Sequence, residues 1–594
     1  MQDRFAPPAV VLESGAGGTF VLRSGYALQP YGRCVGDWLE AWADRTPARL
    51  FLIERDRAGE LRRLSYGEAR TKVHALGQAL LDLGAAPARP LLLLSDNSID
   101  HAVLQLAAMR VGVPAAPVSS AYALASRSFG RLREVADRVG PGVIFADDPD
   151  RFAGALAALA LDDVPLLTSR GQSSRPRTFP LADLESTPPG ARARQAAASV
   201  GPDTVAKILF TSGSTGAPRG VVNTQRMLCS NQQAIAQLWP LVERRPPVVV
   251  DWLPWSHTFG GNHNFNMVLR NGGTLFIDGG RPAPGAIDET AANLRVLSPT
   301  LYFNVPRGFA MLLPLLERDD QLAAAFFADL DLVFYAAAAL PQHLWTRLET
   351  LAARVRGSRS AVPFVSAWGS TETAPLVTSV HFPIDRAGVI GLPAPGCALK
   401  FVPSLGRFEM RVRGPNVTPG YWRRGGTIEP AAFDDDRFLP TGDAGRLADP
   451  AVPARGVLFD GRTAENFKLS SGTWVSVGDL RVRLVSACAP YVQDLVVAGH
   501  DRDEVAVLLF PAPGIGEDEA REPTRAALRA HNRAHPGSST RVVRALFLRD
   551  PPSIDGGEIT DKGYLNQRAV LDRRRVEVQR LYAPAPDAEI LIVE

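Results

Sequence analysis

At 594 residues the chain exceeds what one hydrophobic core usually supports, so two or more domains are expected. A hydrophobic content of 46%, a charged content of 21% and a net charge of +3 fit an ordinary globular enzyme and indicate neither a nucleic-acid surface nor an acidic tail. Cys34, Cys229, Cys397 and Cys488 are scattered, with no C-x-x-C pair. That argues against a disulfide framework or zinc site and fits a reducing, cytoplasmic setting.

Phe51–Glu54 and Pro90–Leu94 read as short strands, and the periodic segments Tyr66–Leu83 and Ser98–Val111 as helices. No apolar h-region follows Met1, and Ala102–Val118 is too interrupted to span a bilayer, so no membrane partner is expected. Val143–Ala146 and Val205–Thr211 are further strands, with a helix over Gln225–Leu238 behind the second. Alternating strand and helix predicts doubly wound α/β layers. Arg170–Gly190, rich in Ser, Arg and Pro, reads as an exposed loop. From about Gly388 the chain becomes Gly/Pro-dense, with short β-like runs such as Leu399–Val402 and Phe408–Val412, and residues 388–460 are read as a β-rich subdomain of a large unit, 1–460. Beyond 461, short strands at Thr473–Val477, Asp494–Gly499 and Glu504–Phe510 with intervening helices predict a small α+β C-terminal domain.

Ile208–Gly220 reads ILFTSGSTGAPRG. An apolar strand runs into a loop of Thr211, Ser212, Gly213, Ser214, Thr215 and Gly216. Such a loop suits a polyphosphate: glycines admit the backbone closely, amides point inward and hydroxyls add donors. Arg219 adds positive charge. The spacing differs from the P-loop pattern, and a plain Ser/Gly linker is the bland alternative. Downstream lie SAWGSTET (366–373), LPTGD (439–443) and FDGRTAENFKLSSGTWV (459–475). In this order the motifs resemble the adenylate-forming superfamily of acyl-CoA synthetases, luciferases and peptide-synthetase adenylation domains.

The resemblance implies roles. Trp368, where the family usually has Tyr, would stack on adenine, followed by Gly369. Thr371 would meet phosphate, and Glu372, with Thr215, would face Mg²⁺. Asp443 would hold the ribose, joined by Arg462. The run YAAAALP (335–341) would edge adenine and the acyl pocket through Ala337 and Ala338. His257, in DWLPWSHTFGG (251–261), would lie beside the carboxylate tunnel. Thr463–Asn466 would be the hinge of a mobile small domain, with Glu465 its acidic residue and Gly472 meeting the pantetheine arm of coenzyme A.

Only five of the 65 basic residues are lysine. In the family a lysine near the C-terminus serves adenylation and commonly follows a Ser-Gly pair. Here Gly556–Gly557 is followed by Glu558, where a carboxylate would repel both substrates. Lys562, four residues on, is the expected adenylation lysine. Lys468, beside the hinge, is its rival and suits AMP or CoA contacts in the second half-reaction. Three longer stretches, including PWSHTFGGNHNFNMVLRNGGTLFIDGGRP, resemble feruloyl-CoA synthetases. The expectation is therefore an ATP-, Mg²⁺- and CoA-dependent ligase for a hydroxycinnamic acid, with Trp252, Trp255, Phe265 and Phe303 as candidate pocket aromatics. Benzoate-type or medium-chain acids, and loading of a carrier protein, are the alternatives. The partners are small molecules, and a homodimer is compatible with the reading.

Overall fold

Leu91–Leu94 is an unbroken apolar run, and all four side chains are buried. A strand apolar on both faces needs cover on both, and this one lies inside a nine-stranded sheet. The computed structural model describes residues 4–171, 173–211, 218–336, 340–357, 362–384, 388–404, 406–463, 465–559 and 565–593. Parallel strands run from Val205–Thr211 through Ala115–Pro117, Leu91–Leu94, Val143–Ala146 and Leu166–Thr168 to Thr178–Pro180. Lys207 pairs with Ala115 on its parallel neighbour, so Thr211 and Pro117 end their strands at the same sheet edge.

Arg170–Gly190 is not all loop. Thr178–Pro180 adds a parallel edge strand against Leu166–Thr168, and Leu181–Leu184 forms a short helix. Phe179 packs on the main core, an anchor that the surrounding Ser/Arg/Pro composition conceals.

The strands between Val389–Pro393 and Val457–Arg462 do not make a sheet of their own. Five of them continue an eleven-stranded sheet that also holds Leu301–Asn304, Leu332–Tyr335, Phe364–Gly369 and Leu376–Ser379. The hairpin Gly420–Arg423/Thr427–Pro430 leaves that sheet and edges the nine-stranded one through Arg219–Thr224. These strands form the seam between two layers. A further sheet of Val248–Asp251, Thr274–Ile277, Leu50–Arg55 and Leu61–Ser65 completes the large part.

Thr473–Val477 is a strand only at Trp474–Val475. Asn466 accepts the Val477 N–H at 3.0 Å, and a helix, Val477–Ala487, starts there. Beyond it, Val492–Ala498, Val505–Pro511, Val542–Phe547 and Leu591–Ile592 form a four-stranded sheet. Its side chains alternate between two faces. Leu495, Val497, Val507 and Leu509 pack with Leu480, Leu484 and Leu528. Val496, Leu508 and Phe510 pack with Val570 and Leu581 on the other side. A small domain with its own core results.

Candidate active site

The antiparallel strands Leu439–Leu447 and Val457–Arg462 place Asp443 opposite Arg462, and the end of Phe364–Gly369 brings Trp368 to them. The Trp368 Nε1–H donates to Asp443 Oδ2 at 2.9 Å, and Arg462 Nε stands 3.7 Å from Oδ1. Burial pushes the Asp443 carboxyl above its ordinary range, while Arg462 and the indole N–H pull against that shift. Thr463 fixes the turn beneath, donating to Gly442 O from its N–H at 2.8 Å and its hydroxyl at 2.9 Å.

Gly369 admits no side chain, because a Cβ would lie 1.7 Å from Pro375 O. Beyond it, Thr373 Oγ1 accepts the Ser370 N–H at 2.8 Å, closing a single turn over Thr371–Thr373. Thr371 is buried and Glu372 half-buried. The Glu372 carbonyl accepts the Thr418 N–H at 2.8 Å, and the Thr418 hydroxyl donates to Val222 O at 2.7 Å. This pins the turn to Arg219–Thr224, the strand returning from the phosphate loop. The Arg219 guanidinium lies 3.4 Å over the Tyr421 ring. Burial raises the Tyr421 hydroxyl's pKa, and the charges of Glu372 and Arg219 act on it in opposite directions. Arg219 thus stacks on Tyr421, and Glu372 lies near enough for its charge to act on that ring's hydroxyl. Tyr421 and Thr418 were missed in the sequence. An aromatic directly after Gly420, in a run with Trp422, was the available signal.

His257 sits in a turn whose N–H donates to Pro254 O at 3.1 Å. Its Nδ1 accepts the Phe259 N–H at 3.3 Å, which places the proton of the neutral ring on Nε2. The following Phe259–Asn264 is a π-helix, a form that recurs at functional sites. A Cβ on Gly260 would meet Leu253 O at 2.3 Å, and one on Gly261 would meet Trp255 O at 2.4 Å, so the Gly-Gly pair lets the coil close on its own entry turn. Buried Gln232 donates to the carbonyls of Asn262 and His263 at 2.9 and 3.1 Å. Lys207, wholly buried, donates to Gly261 O at 2.9 Å, and burial alone lowers its pKa to about 7.

The four pocket aromatics separate. Phe303 clusters with Phe259, Phe334 and His263, at ring distances of 5.1 to 6.5 Å, all of them buried. Ala336 and Ala367 are partly buried against the same core. Trp255 and Phe265 instead pack on each other at 4.8 Å and on His101 and Phe51, because Phe265 follows the π-helix on the side facing strand Leu50–Arg55. They are core residues. Trp252, half-buried, donates its Nε1–H to Asn304 at 3.2 Å.

In the small domain, Lys468 is exposed with Nζ 5.1 Å from the Trp474 ring centre. Gly472 turns the hairpin at φ +82°. Glu465 lies near enough for its charge to act on Asp443. Glu558 is buried and faces its own domain: Arg574 donates to both its oxygens, at 2.8 and 3.1 Å. Its carboxylate is neutralised there and does not confront substrate. Ser212, Gly213, Ser214, Thr215, Gly216, Ala337, Ala338 and Lys562 lie outside the described residues.

Several known proteins resemble this chain. A carboxylic acid reductase of Segniliparus rugosus is 24% identical over 604 residues, covering 89% of this chain and 47% of the reductase. One from Mycobacterium marinum is 26% identical over 486 residues, 74% of this chain and 39% of the reductase. The chain therefore spans about half or less of these relatives' length. The indoleacetate–CoA ligase of Aromatoleum aromaticum is 28% identical over 428 residues, covering 69% of this chain and 76% of the ligase. The solved anthranilate CoA ligase AuaEII, in complex with anthranoyl-AMP, shares the fold with a TM-score of 0.72 at 19% identity, covering 93% of this chain and 99% of that one. Residues 469–586 match the AMP-binding enzyme C-terminal domain. Residues 39–422 match the AMP-binding enzyme model, and the chain belongs to that family, within the adenylate-forming superfamily.

Proposed function

We propose that this protein activates an aromatic carboxylic acid of the hydroxycinnamic type, ferulate being the model, as its acyl-adenylate and then transfers the acyl group to coenzyme A. The observation that carries this reading is the Trp368–Asp443–Arg462 set standing beside the Glu372–Tyr421–Arg219 group at the phosphate-loop strand. An acid oxygen bonds to the α-phosphorus of ATP, and the bond from that phosphorus to pyrophosphate breaks. The CoA thiolate then adds to the acyl carbon, and AMP leaves with the electron pair. Asp443, held by Trp368 and Arg462, accepts from the ribose hydroxyls, while the Trp368 ring offers a face to adenine. Arg219 and the loop amides stabilise charge on the phosphates, so catalysis is mainly positioning and electrostatics. Glu372 offers one carboxylate, which suits Mg²⁺ carried on the triphosphate, since that ion takes one or two carboxylates and completes its shell with phosphate and water oxygens.

The buried aromatic cluster of Phe259, Phe303 and Phe334, with the indoleacetate and anthranilate ligases among the relatives, favours a planar aryl acid. A second reading, transfer to a carrier-protein thiol, is favoured by the match to carboxylic acid reductases, one of them solved as an A-PCP didomain. Residues 463–466 are proposed as the hinge, and Lys562 rather than Lys468 as the adenylation lysine.

The test is acid-dependent exchange of labelled pyrophosphate into ATP without CoA, followed by mass spectrometry after CoA is added. Exchange is expected with ferulate and not with octanoate, and feruloyl-CoA should form. Exchange only in the presence of CoA, or higher kcat/KM for octanoate, overturns the reading. Lys562→Ala should abolish exchange yet still convert supplied feruloyl-adenylate to the thioester; the opposite pattern, with Lys468→Ala the adenylation-dead variant, exchanges the two assignments.

A further inference from the structure

The small domain touches the large one through the turn Ile554–Gly557, which immediately precedes the stretch holding Lys562 in the sequence. The Asp555 carboxylate is the centre of the contact. Its Oδ1 accepts the Ser126 hydroxyl at 2.5 Å, and its Oδ2 accepts the N–H groups of Arg127 and Ser128 at 3.1 and 3.4 Å. These bonds hold its pKa below the ordinary carboxylate range. Ile554 packs, partly buried, in the hydrophobic cluster that contains Phe129, Tyr122, Ile208 and Phe210. Gly557, at φ +71°, passes so close to Arg131 that a Cβ would lie 2.6 Å from its guanidinium.

The large-domain half of this contact has a defined place. Residues 126–131 follow the strand Ala115–Pro117, whose end shares a sheet edge with the end of Val205–Thr211. Phe210, in the same cluster as Ile554, stands one residue before Thr211, where the phosphate loop begins. The turn therefore docks on the edge from which the phosphate loop springs. It is also stiff within its own domain. The Glu558 N–H donates to Ser553 O at 2.9 Å and the Gly557 N–H to Ile554 O at 3.0 Å, and Glu558 Oε2 accepts the Ser553 N–H at 2.8 Å. A stiff turn transmits the position of one residue to the chain beyond it.

We propose that the Ile554–Gly557 turn is a latch that fixes the small domain for the adenylation half-reaction, with Asp555 as its positioning residue and Ser126–Ser128 as its seat. This rests on the adenylation reading above. Three charge-assisted bonds beside the single apolar contact of Ile554 suit a joint that must open again, because they fix geometry through directional contacts. On the hinge proposed above, the small domain turns away for thioester formation, and that half-reaction makes no use of the joint.

The experiment measures both half-reactions separately in the full-length protein. Asp555→Ala should slow ferulate-dependent pyrophosphate exchange roughly tenfold or more, the scale of a lost charge-assisted contact, and leave conversion of supplied feruloyl-adenylate and CoA to the thioester unchanged. Ser126→Ala, on the opposite side of the joint, should give the same split to a smaller extent, and adding it to Asp555→Ala should cost little more. Ser126→Ala also serves if Asp555→Ala fails to fold. A purely structural role would depress both half-reactions together; that result, or exchange at the wild-type rate, overturns the latch. Failure of the parent reading is separate, since it shows in the wild type as absent exchange with any acid.

Discussion

Trp368 has two faces of chemistry, a ring for stacking and an N–H that is already committed to Asp443. Trp368→Phe keeps a flat ring and removes the donor. Asp443, already raised by burial, would lose one of the two groups that favour its charged form. A hydrogen bond to a charged group contributes about 1.5–3 kcal/mol, so KM for ATP should rise on the order of tenfold or more while kcat falls less. Initial-rate kinetics at saturating acid decide it, and an unchanged KM would remove Trp368 from nucleotide binding. Trp368, Asp443 and Arg462 were legible in the sequence because each sits in a short, ordered motif. Tyr421 and Thr418 were not, because their work is done by a stacked guanidinium and a carbonyl contact between strands that the sequence does not show as neighbours.

The π-helix Phe259–Asn264 buries His263, and titratable groups on neighbouring elements lie in the same dry interior. Burial lowers His263 to about 4 and His101 to about 3 and raises Asp251 to about 7. Between pH 4 and 6.5 the unfolded chain carries a proton on each histidine where the folded chain carries none, while for Asp251 the order is reversed. His381, likewise lowered to about 4 by burial, adds a third such histidine, so over these four groups the unfolded state binds about two more protons and stability should rise with pH by about 2.7 kcal/mol per unit. His263→Phe, an aromatic among Phe259, Phe303 and Phe334, should flatten that slope, and Asp251→Asn should steepen it. Lys207, lowered to about 7 from 10.5, should add a further rise from pH 7 to about 10 that Lys207→Met abolishes. Denaturant melts across pH measure all three, and parallel profiles for wild type and variants would refute the assignment. Val143–Ala146 was readable as a short, unbroken apolar run, and Gln225–Leu238 because a period of 3.6 is written in its side chains. The π-helix was not, since it depends on Gly260 and Gly261 meeting the Leu253 and Trp255 carbonyls rather than on any hydrophobic period.

At the scale of the whole molecule, the proposed latch makes the stiffness of the Ile554–Gly557 turn the quantity that sets how the small domain meets the large one. Glu558 supplies that stiffness from inside the small domain. It is 1% exposed and bound by Arg574 and the Ser553 N–H, with Arg573 Nε 3.8 Å away. Sequence spacing placed this carboxylate where a cation should meet substrate; the fold turns it inward, because Gly556 and Gly557 let the chain reverse before it. Glu558→Gln preserves shape but strands the Arg574 charge, 14% exposed at its side chain. Breaking a buried pair from one side costs about 3–5 kcal/mol, and the partial exposure of Arg574 should reduce this to about 2–3 kcal/mol. Removing both charges, Glu558→Gln with Arg574→Met, should recover much of the loss, since the ions then left without these partners, Arg573 and Asp550, are solvent-exposed. Calorimetry of the single and double variants gives the coupling directly. The function should follow the same order: pyrophosphate exchange falls in Glu558→Gln, partly returns in the double variant, and thioester formation from supplied feruloyl-adenylate stays near wild type in both. Additive losses in the double variant would mean that the ion pair does not stiffen the turn.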